Sequence, residues 1–320
     1  MERNNSIDIA RFIFAFLVVV IHVPIFGGGK ILPLARCAVP FFYLVAGFYL
    51  YTNDIERFSK KLIKSIRKWF TLWLTYTLLF AVIAILICVS QGGNFLFDKD
   101  SFIELLALGN CKTLDVVDIH GREFGISSVL WFLYAGFLSF IFLTIMRKYI
   151  CRTVTMLVIF GLLMISCLVN CYYESIVINR VFSVAIPFIY IGCLIRKYFD
   201  KIQSFKNFYI LLGIGLFVIT LYIEALNYRS EVYFSTIPLT LLIFVYLLNN
   251  PGLFGSQMHI PVKVSMDIYL WHRLVYALVF GCFNMDMLKG IAAILVYCIT
   301  LFIFTVGRKP LMFFHQKRQL

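Results

Sequence analysis

The sequence predicts an all-α integral membrane protein, a bundle of about ten transmembrane helices with both termini in the cytoplasm. Three observations carry that prediction. Apolar residues make up 62% of the 320-residue chain and charged residues only 14%, more apolar surface than a soluble protein of this length can hide. Apolar stretches of spanning length recur along the whole chain. The basic residues between them alternate, dense on one side and sparse on the other, as expected when the dense side faces the cytoplasm.

The stretches fall at about 7–25, 35–52, 69–90, 127–146, 153–171, 181–195, 207–226, 232–249, 264–282 and 287–306. The sixth is short and contains Pro187; the fourth and fifth are close enough to form a helical hairpin. With the amino terminus inside, the inner segments hold 19 basic residues and the outer segments 8, and Arg11 and Arg273 remain within spans to complete the 29. A missed or invented helix would scramble this asymmetry. It also explains the net charge of +13 without nucleic acid.

The first stretch is longer than a signal h-region and no small-x-small cleavage site follows it, so it is not read as a cleavable leader. Residues 1–320 read as one polytopic membrane domain. The basic end after about 310 is either a natural end or the start of a linker to a cytoplasmic domain. The nine cysteines contain no C-x-x-C pair; they read as packed thiols, and no metal site is expected. The longest connection, about 91–126, carries six acidic residues and His120. It reads either as a lid or binding element, or as a solvated connector.

Within the first stretch Arg11 stands near the start and His22 near the end. At about 100° per residue the two are three turns plus roughly 20° apart, so they share a face, separated by roughly 16 Å along the axis. Ionisable groups inside a span usually face a bundle interior or a water-filled cavity. The expectation is a polar shaft, with Arg11 at its inner mouth to grip phosphate or carboxylate oxygens. His22 lies deeper, where a neutral imidazole can take a proton from a nucleophile. The plainer alternative pairs Arg11 with Asp8, three residues earlier, and bonds His22 to a carbonyl.

Other constellations follow. Lys64, Arg67 and Lys68 belong to a basic cluster before the third span, which would receive donor phosphates or simply set topology against anionic lipid. Ser127 to Tyr134 open the fourth span, with Trp131 and Tyr134 suited to line a cavity or an interfacial belt. Ser265 to Arg273 place Tyr269, His272 and Arg273 on a polar stripe. A mid-membrane Arg273 needs a partner, and Asp267 and Glu224 are the candidates in kind.

These motifs, in this order, resemble the acyltransferase type 3 family of ten-helix membrane proteins. An Arg, ten intervening residues and a His in the first helix match Arg11 and His22. Val39-Pro40-Phe41-Phe42-Tyr43-Leu44-Val45-Ala46-Gly47-Phe48 is similar to that family's second helix. Lys64-x-x-Arg67 is similar to its Arg-x-x-Arg element, Leu130-Trp131-Phe132-Leu133 to its Trp-Phe-Leu motif, and Ile268-Tyr269-Leu270-Trp271-His272 to its Tyr-Leu-x-His element. Two departures stand out: Lys64 replaces an Arg, weakening planar phosphate recognition, and Ala135 and Gly136 stand where some members carry a Glu.

The resemblance implies an enzyme of the cell membrane, multi-pass, that moves an acyl group from cytoplasmic acyl-CoA, in the first instance acetyl-CoA, to an acceptor reached from outside. His22 would be the general base, with Arg11 beside it. Arg11, Lys64, Arg67 and Lys68 would hold the donor. Trp131, Tyr134, Glu224, Tyr269, His272 and Arg273 would line the substrate cavity. The partners implied are the lipid bilayer and a small-molecule or cell-envelope acceptor, with no nucleic acid. The chain also resembles the membrane portions of VanT-type serine racemases from vancomycin-resistance operons. That likeness implies transport or binding of L-serine for a fused cytoplasmic racemase domain, with Arg11 for the carboxylate and Glu224 or Asp267 for the ammonium.

Overall fold

The computed structural model describes residues 4–26, 28–90, 96–117, 123–150, 152–172, 180–228, 230, 232–254, 262–281 and 290–306. The expected linker past 310 and His120 lie outside the described residues. Helix occupies each of the ten stretches marked in the sequence. In chain order these are α1 (Asn5–His22), α2 (Gly28–Ala35), α3 (Ala38–Leu50), α4 (Ile55–Ser90), α5 (Lys99–Leu108), α6 (Leu130–Met146), α7 (Thr153–Tyr172), α8 (Ile186–Lys197), α9 (Phe199–Ile202), α10 (Asn207–Asn227), α11 (Thr236–Asn249), α12 (Val262–Tyr276) and α13 (Ala292–Val306). A wider, π-type turn precedes α8 at Arg180–Ala185, and another extends α12 at Ala277–Gly281.

Among the described residues, five runs are long and apolar enough to cross a membrane: Asn5–His22, Gly29–Leu50, Ile55–Ser90, Ile126–Met146 and Asn207–Asn227. Of the other stretches, α7 runs 20 residues, while α8, α11, α12 and α13 are shorter. Polar content is one reason. α12 carries Ser265, Asp267, His272 and Arg273, and a helix with that load is not a free-standing span. Proline is another, because Pro187 lies in the first turn of α8 and fixes where that helix begins.

α1 is the centre of the bundle. It packs against α2, α3, α11, α12 and α13, and it buries Ile7, Ala10, Phe14, Ala15, Val18 and Val19. Its start is tied down. Asn4 caps it by accepting from the Ile7 N–H at 3.1 Å, the device that satisfies an orphan first-turn donor. Ser6 Oγ donates to the Asn250 carbonyl at 2.5 Å, beyond the end of α11. Its far end is tied to the start of α13, where Ala293 N–H donates to the Pro24 carbonyl at 3.0 Å. By contrast α10 buries only Ile210 and Leu221 among its described residues and leaves Leu212, Leu216 and Ile219 exposed, the apolar surface a lipid-facing helix presents.

The described residues of the connection between α4 and α6 form a cap over one end of the bundle. α5 ends at Gly109, whose φ of 75° is the left-handed C-cap that glycine adopts without strain. A short antiparallel pair follows, β1 (Val116–Val117) with β2 (Glu123–Phe124), in the register Val116 to Phe124 and Val117 to Glu123. Trp73 of α4 donates to the Gly109 carbonyl at 2.8 Å, and Tyr134 of α6 donates to that of Leu106. Two anchors of this kind make the segment part of the fold.

The tightest helix contact joins α3 and α8. A Cβ on Gly47 would overlap the Ile189 carbonyl, and one on Gly192 the Leu44 carbonyl. Small residues let apolar helices approach this closely. Gly47→Ala should therefore cost about 1–3 kcal/mol by overpacking, read as a lowered unfolding temperature in detergent. An unchanged temperature would show that α3 and α8 separate freely.

Candidate functional site

α1 runs unbroken from Asn5 to His22, so Arg11 and His22 do lie on one face. One cavity opens on the His22 end of that face, and a second is linked to Arg11 through Tyr49. At the His22 end a cavity of about 90 Å³ is walled by His22, Arg36, Ser128, Trp131 and Tyr269 together with Val18, Val39, Pro40, Val184 and Val232. Arg36 comes from the turn between α2 and α3, Ser128 and Trp131 from the start of α6, and Val184 from the π-type turn before α8. Ser128 Oγ is buried and has no hydrogen-bond partner among the described residues. Such an orphan typically costs about 1–3 kcal/mol, and it belongs to a wall residue of this cavity.

Behind His22, away from the cavity wall, lies α12. The His22 and His272 rings have centroids 5.4 Å apart and planes tilted by 29°. His272 is fully buried. Its Nδ1 lies 2.7 Å from the Tyr269 carbonyl and 3.1 Å from that of Ile268. Both partners are acceptors, so Nδ1 carries the proton. The other nitrogen, Nε2, is buried with no partner among the described residues.

Arg273, next along α12, is the strut of the whole end. Its Nε donates to the Gly125 carbonyl at 2.9 Å and its Nη1 to the His22 carbonyl at 3.2 Å. Gly125 is needed there, because a Cβ would press on the guanidinium. The acidic partner of Arg273 is Asp115, from the cap, where the sequence reading looked to Asp267 or Glu224. Glu224 is engaged elsewhere and accepts from Ser235 Oγ at 2.9 Å and Ser235 N–H at 3.2 Å. Asp115 in turn accepts from the Ser127 N–H at 3.0 Å. The cap, α12 and the end of α1 thus meet on one guanidinium.

At the Arg11 end a larger cavity of about 470 Å³ lies between the end of α3, the start of α4 and the end of α8. Arg57, Lys61, Arg196 and Lys197 supply four positive charges against one carboxylate, Asp200, with Phe48, Tyr49, Tyr51 and Phe199 beside them. Arg196 lies 5.5 Å from the Phe48 ring centroid, and Lys61 Nζ donates to the Tyr49 carbonyl at 3.1 Å. Arg11 is coupled electrostatically to Asp8 and to Tyr49, a wall residue of this cavity. Its Nε is buried without a partner among the described residues.

The single shaft expected between Arg11 and His22 is not what the structure holds. Phe14 stacks on Phe41 at 4.2 Å, and Phe244 meets Phe41 at 5.9 Å and Phe48 at 5.5 Å. The reason lies in α1 itself: Phe14 and Val18 occupy the same face as Arg11 and His22, and both are buried. The two polar ends are therefore separate cavities with an aromatic layer between them.

Of the residues singled out in the sequence, His22, Trp131 and Tyr269 meet in one cavity, and His272 and Arg273 stand behind it. Tyr134 anchors α6 to α5. Lys64, Arg67 and Lys68 are exposed further along α4 and are not among the walls of the basic cavity. Sequence reasoning missed Arg57, Lys61, Arg196 and Lys197 as a group. Arg57 and Lys61 are four apart and share a helix face, but no local signal joins them to α8. Arg36 and Ser128 were also missed as cavity residues.

Among known families, the chain matches one described as an acyltransferase domain over residues 4–307. Neither the curated proteins nor the solved structures give a match. The family match lends no support to the serine-racemase resemblance.

Burial raises the Asp115 carboxyl above its usual value of 3.8, and the hydrogen bonds from Ser127 and the charge of Arg273 offset this only in part. A carboxyl whose folded pKa lies above its unfolded one stabilises the fold fully below the unfolded value, and that contribution is lost as the pH rises through the folded one. Protection of the cap amides around Asp115 from hydrogen exchange should fall as the pH rises above 3.8. Asp115→Asn should flatten that dependence, and the same slope in the variant would remove Asp115 as its source.

Proposed function

The chain belongs to the acyltransferase type 3 family, and on that premise we propose that it moves a short acyl group from a cytoplasmic acyl-CoA to a hydroxyl or amine reached from the other side of the membrane. The observation that supports this reading is the division of labour along α1. A basic, aromatic cavity adjoins Arg11, and a small cavity walled by an imidazole adjoins His22.

Sidedness follows from the charges. The dense basic segments, including Arg57, Lys61, Arg196 and Lys197, belong to the cytoplasmic side by the positive-inside rule. This orientation, with ten spans and both ends inside, puts the larger cavity where acyl-CoA is found. Four cations suit the phosphates of such a donor, with Arg57 and Arg196 able to grip oxygens in pairs. The neighbouring rings suit its purine. Lys64, Arg67 and Lys68 then act at longer range, raising the local donor concentration.

The chemistry at the other end is proton transfer to a fixed base. His22 takes the proton from the acceptor O–H or N–H. The freed lone pair attacks the thioester carbonyl carbon, so that a C–O or C–N bond forms and the C–S bond breaks. The CoA thiolate leaves with the proton returned by His22. Ser128 Oγ is placed to donate to the carbonyl oxygen as its charge develops. The size of the His22 cavity favours an acetyl-sized group, being smaller than the roughly 150 Å³ apolar cavity that holds benzene in an engineered protein.

The test is binding and turnover by the purified protein in detergent. His22→Ala should lower release of CoA thiol from acetyl-CoA by about 100-fold or more while leaving acetyl-CoA binding intact. The double variant Arg57→Ala, Arg196→Ala should weaken that binding by about tenfold or more. L-serine bound or transported by a protein that ignores acetyl-CoA would replace the acyl-transfer reading with a transport one.

A further inference from the structure

Among the described residues, one buried polar atom beside the proposed base has no explanation in the mechanism given so far: Nε2 of His272. The ring around it is fully buried, and its orientation is determined. Nδ1–H is spent on the carbonyls of Tyr269 and Ile268 within its own helix, which leaves a bare lone pair on Nε2. A buried acceptor without a donor is disfavoured, and a Leu at this place would pack without that cost.

The nearest ring is that of His22. The two ring centroids are 5.4 Å apart with planes tilted by 29°, within the range of paired rings. An N–H···N bond of about 3 Å between two near-coplanar imidazoles puts their centroids roughly 5 Å apart. The observed centroid separation is close to that figure. His22 forms part of the cavity wall, whereas His272 is not among the wall residues. The order from the cavity inward is therefore ligand, His22, His272, then the backbone of α12.

We propose that His272 is the positioning residue of an imidazole pair, its Nε2 accepting the N–H of His22 directly or through one water. This rests on the acyl-transfer reading above. When an acceptor O–H gives its proton to the cavity-facing nitrogen of His22, the opposite nitrogen of that ring bears the N–H that Nε2 receives. The bond holds the tautomer and the ring angle of the base, the part a carboxylate plays in the Ser-His-Asp arrangement. His272 gains and loses no proton in the cycle; the proton returns from His22 to the leaving thiolate. Arg273 supports the arrangement, since its bond to the His22 carbonyl fixes the backbone that carries the base.

Two substitutions separate the nitrogens of His272. His272→Asn keeps a donor near the place of Nδ1 and removes the acceptor; His272→Gln restores an amide oxygen near the place of Nε2. In full-length protein labelled with ¹⁵N-histidine, the His22 signals are identified by their loss in His22→Gln. The wild type should show His272 protonated on Nδ1 at neutral pH. The tautomer ratio of His22 should change in His272→Asn and return towards wild type in His272→Gln. With acetyl-CoA as donor and hydroxylamine as acceptor probe, kcat should fall by about tenfold or more in His272→Asn, with KM for acetyl-CoA unchanged. His22 signals identical in wild type and His272→Asn would overturn the proposal. So would a wild-type His272 protonated on Nε2, which needs no variant to fold. A wild type that releases no thiol would instead overturn the acyl-transfer reading, and the histidine signals would still decide the pairing.

Discussion

An ionisable side chain on a membrane helix must be housed by protein, because lipid offers it neither water nor a counter-charge. α1 carries two such groups, and the rest of the bundle is placed to receive them. Five helices surround α1. One of them, α12, brings in turn two polar residues of its own, His272 and Arg273, and these are housed by α1 and by the cap. The burden is shared rather than removed: Arg273 is held by the backbone of His22 and Gly125, and His272 by the backbone of its own helix at Nδ1 alone.

That dependence explains how the described residues of the cap are held. A segment of this length over a membrane domain has no fold of its own to stabilise it. Here Trp73, Tyr134 and Arg273 each bind one of its carbonyls, and Asp115 returns a charge to Arg273. Ser127 and Ser128 are adjacent in sequence but divide their tasks. Ser127 holds the cap together through Asp115 and through the Cys111 carbonyl, which its Oγ meets at 2.9 Å, while Ser128 is left for the cavity. Any movement of the cap is thereby coupled to the backbone of the proposed base.

The positions of the helices were legible in the sequence because hydropathy is a sum over many residues, and one misplaced polar group does not hide a span. The Arg11 and His22 pair was legible for a different reason, since both sit on one helix and helical spacing is local. The electrostatic coupling of Asp115 to Arg273 was not, because it joins two segments more than 150 residues apart and lies beside a glycine at 125 that looks like any loop glycine. The basic cavity failed for the same reason. Arg57 and Lys61 could be paired by spacing, but Arg196 and Lys197 reach them only because Gly47 and Gly192 let α3 and α8 close up. The polar shaft was expected from two residues on a face whose intervening members, Phe14 and Val18, were not weighed.

The aromatic layer between the cavities bears on how the proposed reaction runs. A permanent water-filled passage joining an arginine to an imidazole would conduct protons and dissipate the membrane potential, about 2.3 kcal/mol per charge at 100 mV. Phe14 on Phe41, flanked by Phe244, lies across that route. An acyl-pantetheine arm reaching His22 from the basic cavity must part those rings, and doing so replaces ring contacts with contacts to the arm. The cost of opening is then met by donor binding and by nothing smaller, so that water and free anions find the layer shut. On this view the bulky residues interrupting the polar face of α1 are the gate that lets one helix serve two sides of the membrane without joining them.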